Sequence, residues 1–124
     1  MIRPLGLCVV LLAVIAPMLE ASGRICRGSV AGKGYSTYLT REATLKSTTW
    51  DPDNDNPPVS ARAAMKLATA ARRTVAPDTT DWRWVLARIS LEHDTDIDKW
   101  FWEAHFYAPG SGNNDDYLVV IVLM

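Results

Sequence analysis

Cysteine and histidine are scarce in this 124-residue chain, with two of each, and basic residues show no excess, 13 lysines and arginines standing against 14 aspartates and glutamates. Two cysteines cannot build the disulfide framework of a small stapled domain. His93 and His105 lack the i, i+4 helical spacing of a zinc motif. A nucleic-acid binder is excluded by the charge distribution, because its folded domain should carry a basic patch. Residues 24–50 hold Arg24, Arg27, Lys33, Arg41 and Lys46 against Glu42, net +4, while residues 51–124 hold seven basic and twelve acidic residues, net −5. Length allows one small domain with a modest core.

Long apolar runs are also missing, with one exception at the start. Met1-Ile2-Arg3 precedes an apolar stretch over residues 5–19, the charged and hydrophobic regions of a secretory signal. The stretch is shorter than the ~20 residues a membrane span needs. Ala21-Ser22-Gly23 supplies small residues for cleavage, so the mature chain is expected to begin at Arg24, in the periplasm or outside the cell. The alternative is an uncleaved signal that anchors the protein. After cleavage Cys26 is the one remaining thiol, expected to be incidental on a loose N-terminal arm.

Residues 82–106 dominate what is left. Val85, Ala87, Ile89 and Leu91 alternate with Trp84, Leu86, Arg88, Ser90 and Glu92, the period of two of a strand. Asp94-Thr95-Asp96-Ile97 breaks the pattern as a turn. A second alternation sets Trp100, Trp102, Ala104 and Phe106 against Lys99, Phe101, Glu103, His105 and Tyr107. Register follows from keeping both apolar rows on one face: His93 opposite Asp98, Leu91 opposite Trp100, Ile89 opposite Trp102, Val85 opposite Phe106. The same register brings Glu92 beside Lys99 and Arg88 beside Glu103.

Residues 24–34, with three glycines, read as loosely held, and residues 35–50 as the source of at most one further strand. Residues 51–58 form an acidic, proline-rich linker. Ser60 is the N-cap of a helix over residues 61–76, with Ala64, Leu67, Ala68, Ala71 and Val75 on one stripe, Arg62, Lys66, Arg72 and Arg73 off it, and Pro77 beyond its end. Residues 117–124 are an apolar, β-branched run that predicts a third strand beside the second. The expected organisation is a signal peptide at 1–23, a flexible segment and linker at 24–58, and an α-β-β-β domain at 59–124. The expected fold is α+β, one helix packed on a three- or four-stranded antiparallel meander.

Chemistry is harder to place. Asp51, Asp53 and Asp55 have the alternate spacing that begins a calcium loop, which makes a calcium-responsive envelope protein the alternative reading. Asn56 replaces the turn glycine, however, and Arg62 replaces the closing glutamate. No nucleophile, base and orienter can be assembled, so no enzyme activity and no cofactor are expected. Trp84, Leu86, Phe101 and Tyr107 fall on the sheet face turned away from the helix. That patch predicts coverage by residues 35–50, a homodimer, or a protein or peptide ligand, with membrane contact only in transit through the signal.

The start Ser60-Ala61-Arg62-Ala63-Ala64, the strand around Ile89, Lys99-Trp100-Phe101-Trp102 and the apolar residues 119–124 together resemble the PepSY-like and cystatin-like units of exported bacterial proteins. The resemblance is one of element order and aromatic placement, over about half the chain. It implies binding or inhibition of proteins such as secreted peptidases, and no catalytic residue.

Overall fold

A computed structural model of the protein describes residues 25–30, 33–38, 40–80, 83–109 and 116–124. The expected leader lies outside the described residues. The elements are β1 (Ile25–Val30), β2 (Lys33–Tyr38), α1 (Arg41–Lys46), α2 (Ala61–Val75), β3 (Val85–Asp94), β4 (Lys99–Tyr107) and β5 (Tyr117–Leu123). The strands form one antiparallel sheet in the order β2-β1-β5-β4-β3. Among the described residues no helix is long and apolar enough to cross a membrane.

The α+β fold and the β3-β4-β5 meander agree with the sequence, but the sheet has five strands rather than three or four. β1 and the start of β2 come from residues 24–34, expected to be loose, whereas most of β2 falls within residues 35–50, the expected source of at most one further strand. Glycine in the first of these segments permits the close approach: a Cβ on Gly28 would stand 2.6 Å from the Tyr117 carbonyl oxygen and 2.8 Å from Leu118 Cδ1. Gly28 pairs with Leu118 there, and Cys26, expected on a loose arm, is held in the ladder opposite Thr37.

Helix α2 begins where Ser60 Oγ accepts from the Ala63 amide, one of the first-turn N–H groups left without an intrahelical acceptor. Ala64 and Ala68 are fully buried, and their small side chains let the helix lie close to Trp102, Ala104, Phe106, Leu118, Val120 and Val122. The indole of Trp102 donates to the Val59 carbonyl at 2.8 Å, tying the sheet to the helix start.

Arg72, expected off the apolar stripe, is buried instead. Its Nη1 donates to the Ala76 carbonyl and to Asp78 Oδ1, each at 3.2 Å, and its guanidinium lies 6.0 Å from the centre of the Phe106 ring. Its long stem lets it cross the apolar interface and still reach polar partners at the helix end. Asp78 Oδ1 also accepts from the Trp84 amide at 3.0 Å, so one carboxylate joins the end of α2 to the start of β3. The Trp84 hydrogen bond, followed by the charges of Arg72, Arg73 and Arg83, holds the Asp78 carboxyl below its usual range against the opposing effect of desolvation. A depressed folded value contributes stability above the unfolded pKa of about 3.9, and the contribution is lost as pH falls through the lower folded value. Asp78→Ala is therefore expected to lower Tm at neutral pH and to converge on the wild type in strong acid, as thermal unfolding over a pH series will show. Arg72→Met should cost about 1–3 kcal/mol, because it takes the donor from the buried Ala76 carbonyl and one partner from Asp78, a loss moderated by the removal of an Nε with no hydrogen-bond partner among the described residues.

The β3-β4 hairpin departs from the expected register. Asp94 faces Lys99, Leu91 faces Trp102, Ile89 faces Ala104 and Arg88 faces His105. Each residue from 88 to 94 thus meets a partner two positions beyond the expected one. The turn is as long as expected but lies one residue later, over 95–98, with Asp94 Oδ1 accepting from the Asp96 amide and Asp98 left-handed at φ 52°. Aspartate tolerates that conformation better than most residues. A slip of two preserves the faces, so Ile89 and Leu91 stay on the helix side. The expected pairs Glu92 with Lys99 and Arg88 with Glu103 give way to Glu92 with Phe101 and Ser90 with Glu103.

Beyond Arg88 the ladder shifts again. Ala87 is an extra residue between the pairs Arg88 with His105 and Leu86 with Phe106. This bulge inverts the strand.

Candidate interaction surface

Because of the bulge, two of the four residues expected on the outer face are turned inward. Trp84 is buried in the main core, and Leu86 packs partly buried against it, both on the helix side. Phe101 does lie on the outer face but is 1% exposed, buried with Ile121 and against Leu123. Tyr107 alone of the four is both outside and open to solvent.

Val85 replaces Trp84 and Leu86. It pairs with Tyr107, and Tyr107 pairs in turn with Tyr117. Side chains directly opposite share a face, so the three form one row across β3, β4 and β5. They are 40%, 44% and 40% exposed, and with Leu45 they are the large exposed hydrophobic residues among those described. The row continues to Ser29 of β1, which pairs with Tyr117.

Next to this row lies a polar band. Arg88 Nη2 approaches His105 Nε2 at 3.1 Å, and the same nitrogen stands 2.6 Å from Glu103 Oε1. Ser90 sits opposite Glu103, but its Oγ has no hydrogen-bond partner among the described residues, and His105 turns one nitrogen to both neighbours. The serine, histidine and glutamate thus share a face without the chain of bonds a nucleophilic relay requires.

The far end of the face is covered. Lys99 Nζ donates to the Ser47 carbonyl at 2.7 Å and Thr49 Oγ1 at 2.8 Å, and the Thr48 amide donates to the Met124 carbonyl. Residues 47–49, within the segment 35–50 expected as a cover, are thereby fastened to Lys99 of β4 and to Met124 just past β5. Helix α1, started by Thr40 Oγ1 accepting from the Ala43 amide, leads into them.

The other candidate groups lie apart from this surface. His93 stacks on Trp100, with ring centres 4.3 Å apart, and its Nε2 is 2.8 Å from Asp98 Oδ1. Trp50 meets Trp100 edge-on and donates through its indole to the Asp55 carbonyl. Asp51 closes its own turn, Oδ1 accepting from the Asp53 amide and Oδ2 from the Asn54 side chain. Asp51, Asp53 and Asp55 are all exposed, and among the described residues no group of three or more histidine, cysteine or acidic side chains could hold a metal ion.

Fold and surface together define a small α+β sheet domain whose outer face is sealed at one end and presents an aromatic row at the other. No family model, curated protein or solved structure matches the chain.

Proposed function

We propose that the protein is an exported, non-enzymatic interaction domain that binds another polypeptide through the open end of its outer sheet face. The row Val85, Tyr107 and Tyr117 carries this reading, being a continuous strip of half-exposed apolar surface across three strands. Tyrosine combines large contact area with a polar tip, which suits a surface that must be soluble alone and apolar when covered. The charged and apolar start of the sequence supports export. The resemblance to PepSY-like units makes secreted peptidases the first partners to test.

The test uses the purified wild type and a Tyr107→Ala, Tyr117→Ala double variant. Self-association is followed by sedimentation velocity, and binding by capture from the exported proteins of the same cell. Loss of the paired aromatic surface should weaken binding to the captured polypeptide by about tenfold or more, with Tm little changed. Equal binding by both proteins, or no binding by either, would reject the proposal.

A further inference from the structure

We infer that β3 pairs antiparallel with β3 of a second copy of this chain, about a two-fold axis midway between Ser90 and Ser90 of the partner subunit. The inference rests on the reading of the protein as an interaction domain, and it names a second surface and its partner.

Strand β3 is ten residues long and, among the described residues, forms one edge of the sheet, so the outward N–H and C=O groups of residues 88–92 face away from β4. Helix α2 lies mainly over β5 and β4 and reaches β3 least. Leu86, Ile89 and Leu91, the core-side residues of β3, are for that reason only partly buried. A strand added at this edge would extend the apolar face they begin.

Symmetry limits the choices. A two-fold axis that joins the same edge of two sheets in antiparallel fashion stands perpendicular to them, so facing residues share a face and the axis lies midway between one residue and its own copy. With the axis at Ser90, Arg88 faces Glu92 of the partner subunit and Ile89 faces Leu91 of the partner subunit, and the symmetry makes each pair twice. Opposite charges meet on the outer face, and branched apolar residues meet on the core face. An axis at Ile89 sets Arg88 against a serine. One at Leu91 sets Ile89 against a histidine and Ser90 against a glutamate. One at Glu92 sets two glutamates together. Only the Ser90 axis satisfies both faces of the segment Arg88-Ile89-Ser90-Leu91-Glu92.

Charge reversal tests the pairing. Sedimentation velocity over a concentration series should show a dimer for the wild type. Arg88→Glu and Glu92→Arg should each weaken it by about tenfold or more, since each places like charges together twice, and the double variant carrying both should restore it. Far-UV circular dichroism and Tm of each variant establish that the domain stays folded. A wild type that is monomeric throughout overturns the pairing, as does a dimer that both single variants leave intact. Failure of the edge and failure of the outer face are separable: a dimer lost in the tyrosine double variant but untouched by charge reversal would place the second copy on the face, removing the edge pairing while the interaction reading stands.

Discussion

Trp102→Ala is expected to cost ~3–5 kcal/mol, the range for emptying a large aromatic site in a packed core. Trp102 lies on β4, in the main core against α2, and its indole nitrogen donates to the buried Val59 just ahead of the N-cap Ser60. Truncation would open a cavity, leave the Val59 carbonyl without its donor, and loosen the entry to the helix. Against a total stability of about 5–15 kcal/mol, the loss should lower Tm by more than about 10 °C in a calorimetric scan. Trp102→Phe separates the two contributions, because it keeps a ring in the site and forfeits the hydrogen bond, which points to a smaller loss of about 1–3 kcal/mol. Equal losses for the two variants would show that the bond to Val59, and not the volume, carries the site.

Gly28→Ala is expected to detach the β1-β2 hairpin from the rest of the sheet. The atoms that its Cβ would meet include the Tyr117 carbonyl and the Leu118 Cα, which belong to backbone and cannot rotate away. The contact falls on one of the two residue pairs that join β1 to β5. Overpacking of this kind costs about 1–3 kcal/mol in general. Here the strain is concentrated in the seam between the two parts of the sheet, so relief comes by opening that seam. Hydrogen exchange is the appropriate measurement, with the β1, β2 and β5-edge amides expected to lose protection while β3, β4 and α2 retain it. Uniform loss of protection over the whole chain would instead make the hairpin an integral part of one cooperative unit.

The sequence shows α2, the meander and the core row of Trp102, Ala104 and Phe106 because a single periodicity runs through each. Ser60 is legible as the cap for the same local reason. The β1-β2 hairpin is not: glycine-rich residues normally weaken a strand, and the advantage of Gly28 is its closeness to Leu118, 90 positions away in the sequence. Arg72 was hidden because helical periodicity assigns a charged residue to solvent, whereas its partner Asp78 lies past the end of the helix. On the outer face, strict alternation misplaces Trp84 and Leu86, which the extra residue Ala87 turns inward. The sequence does contain the signal, since Trp84 and Leu86 occupy even positions and Ile89 and Leu91 odd ones. A change of parity in the large apolar residues along one strand indicates an inserted position between them.

That inserted position, Ala87, sets the length of the seam in the inferred pairing. Without it the ladder from Leu86 to Asp94 would be continuous, the same core residues would face inward, and the sheet margin would be longer and flatter. Flat, extended margins recruit strand after strand. In the inferred pairing, the register shift at Ala87 would end the matched ladder at Arg88 and confine the seam to residues 88–92 of each copy.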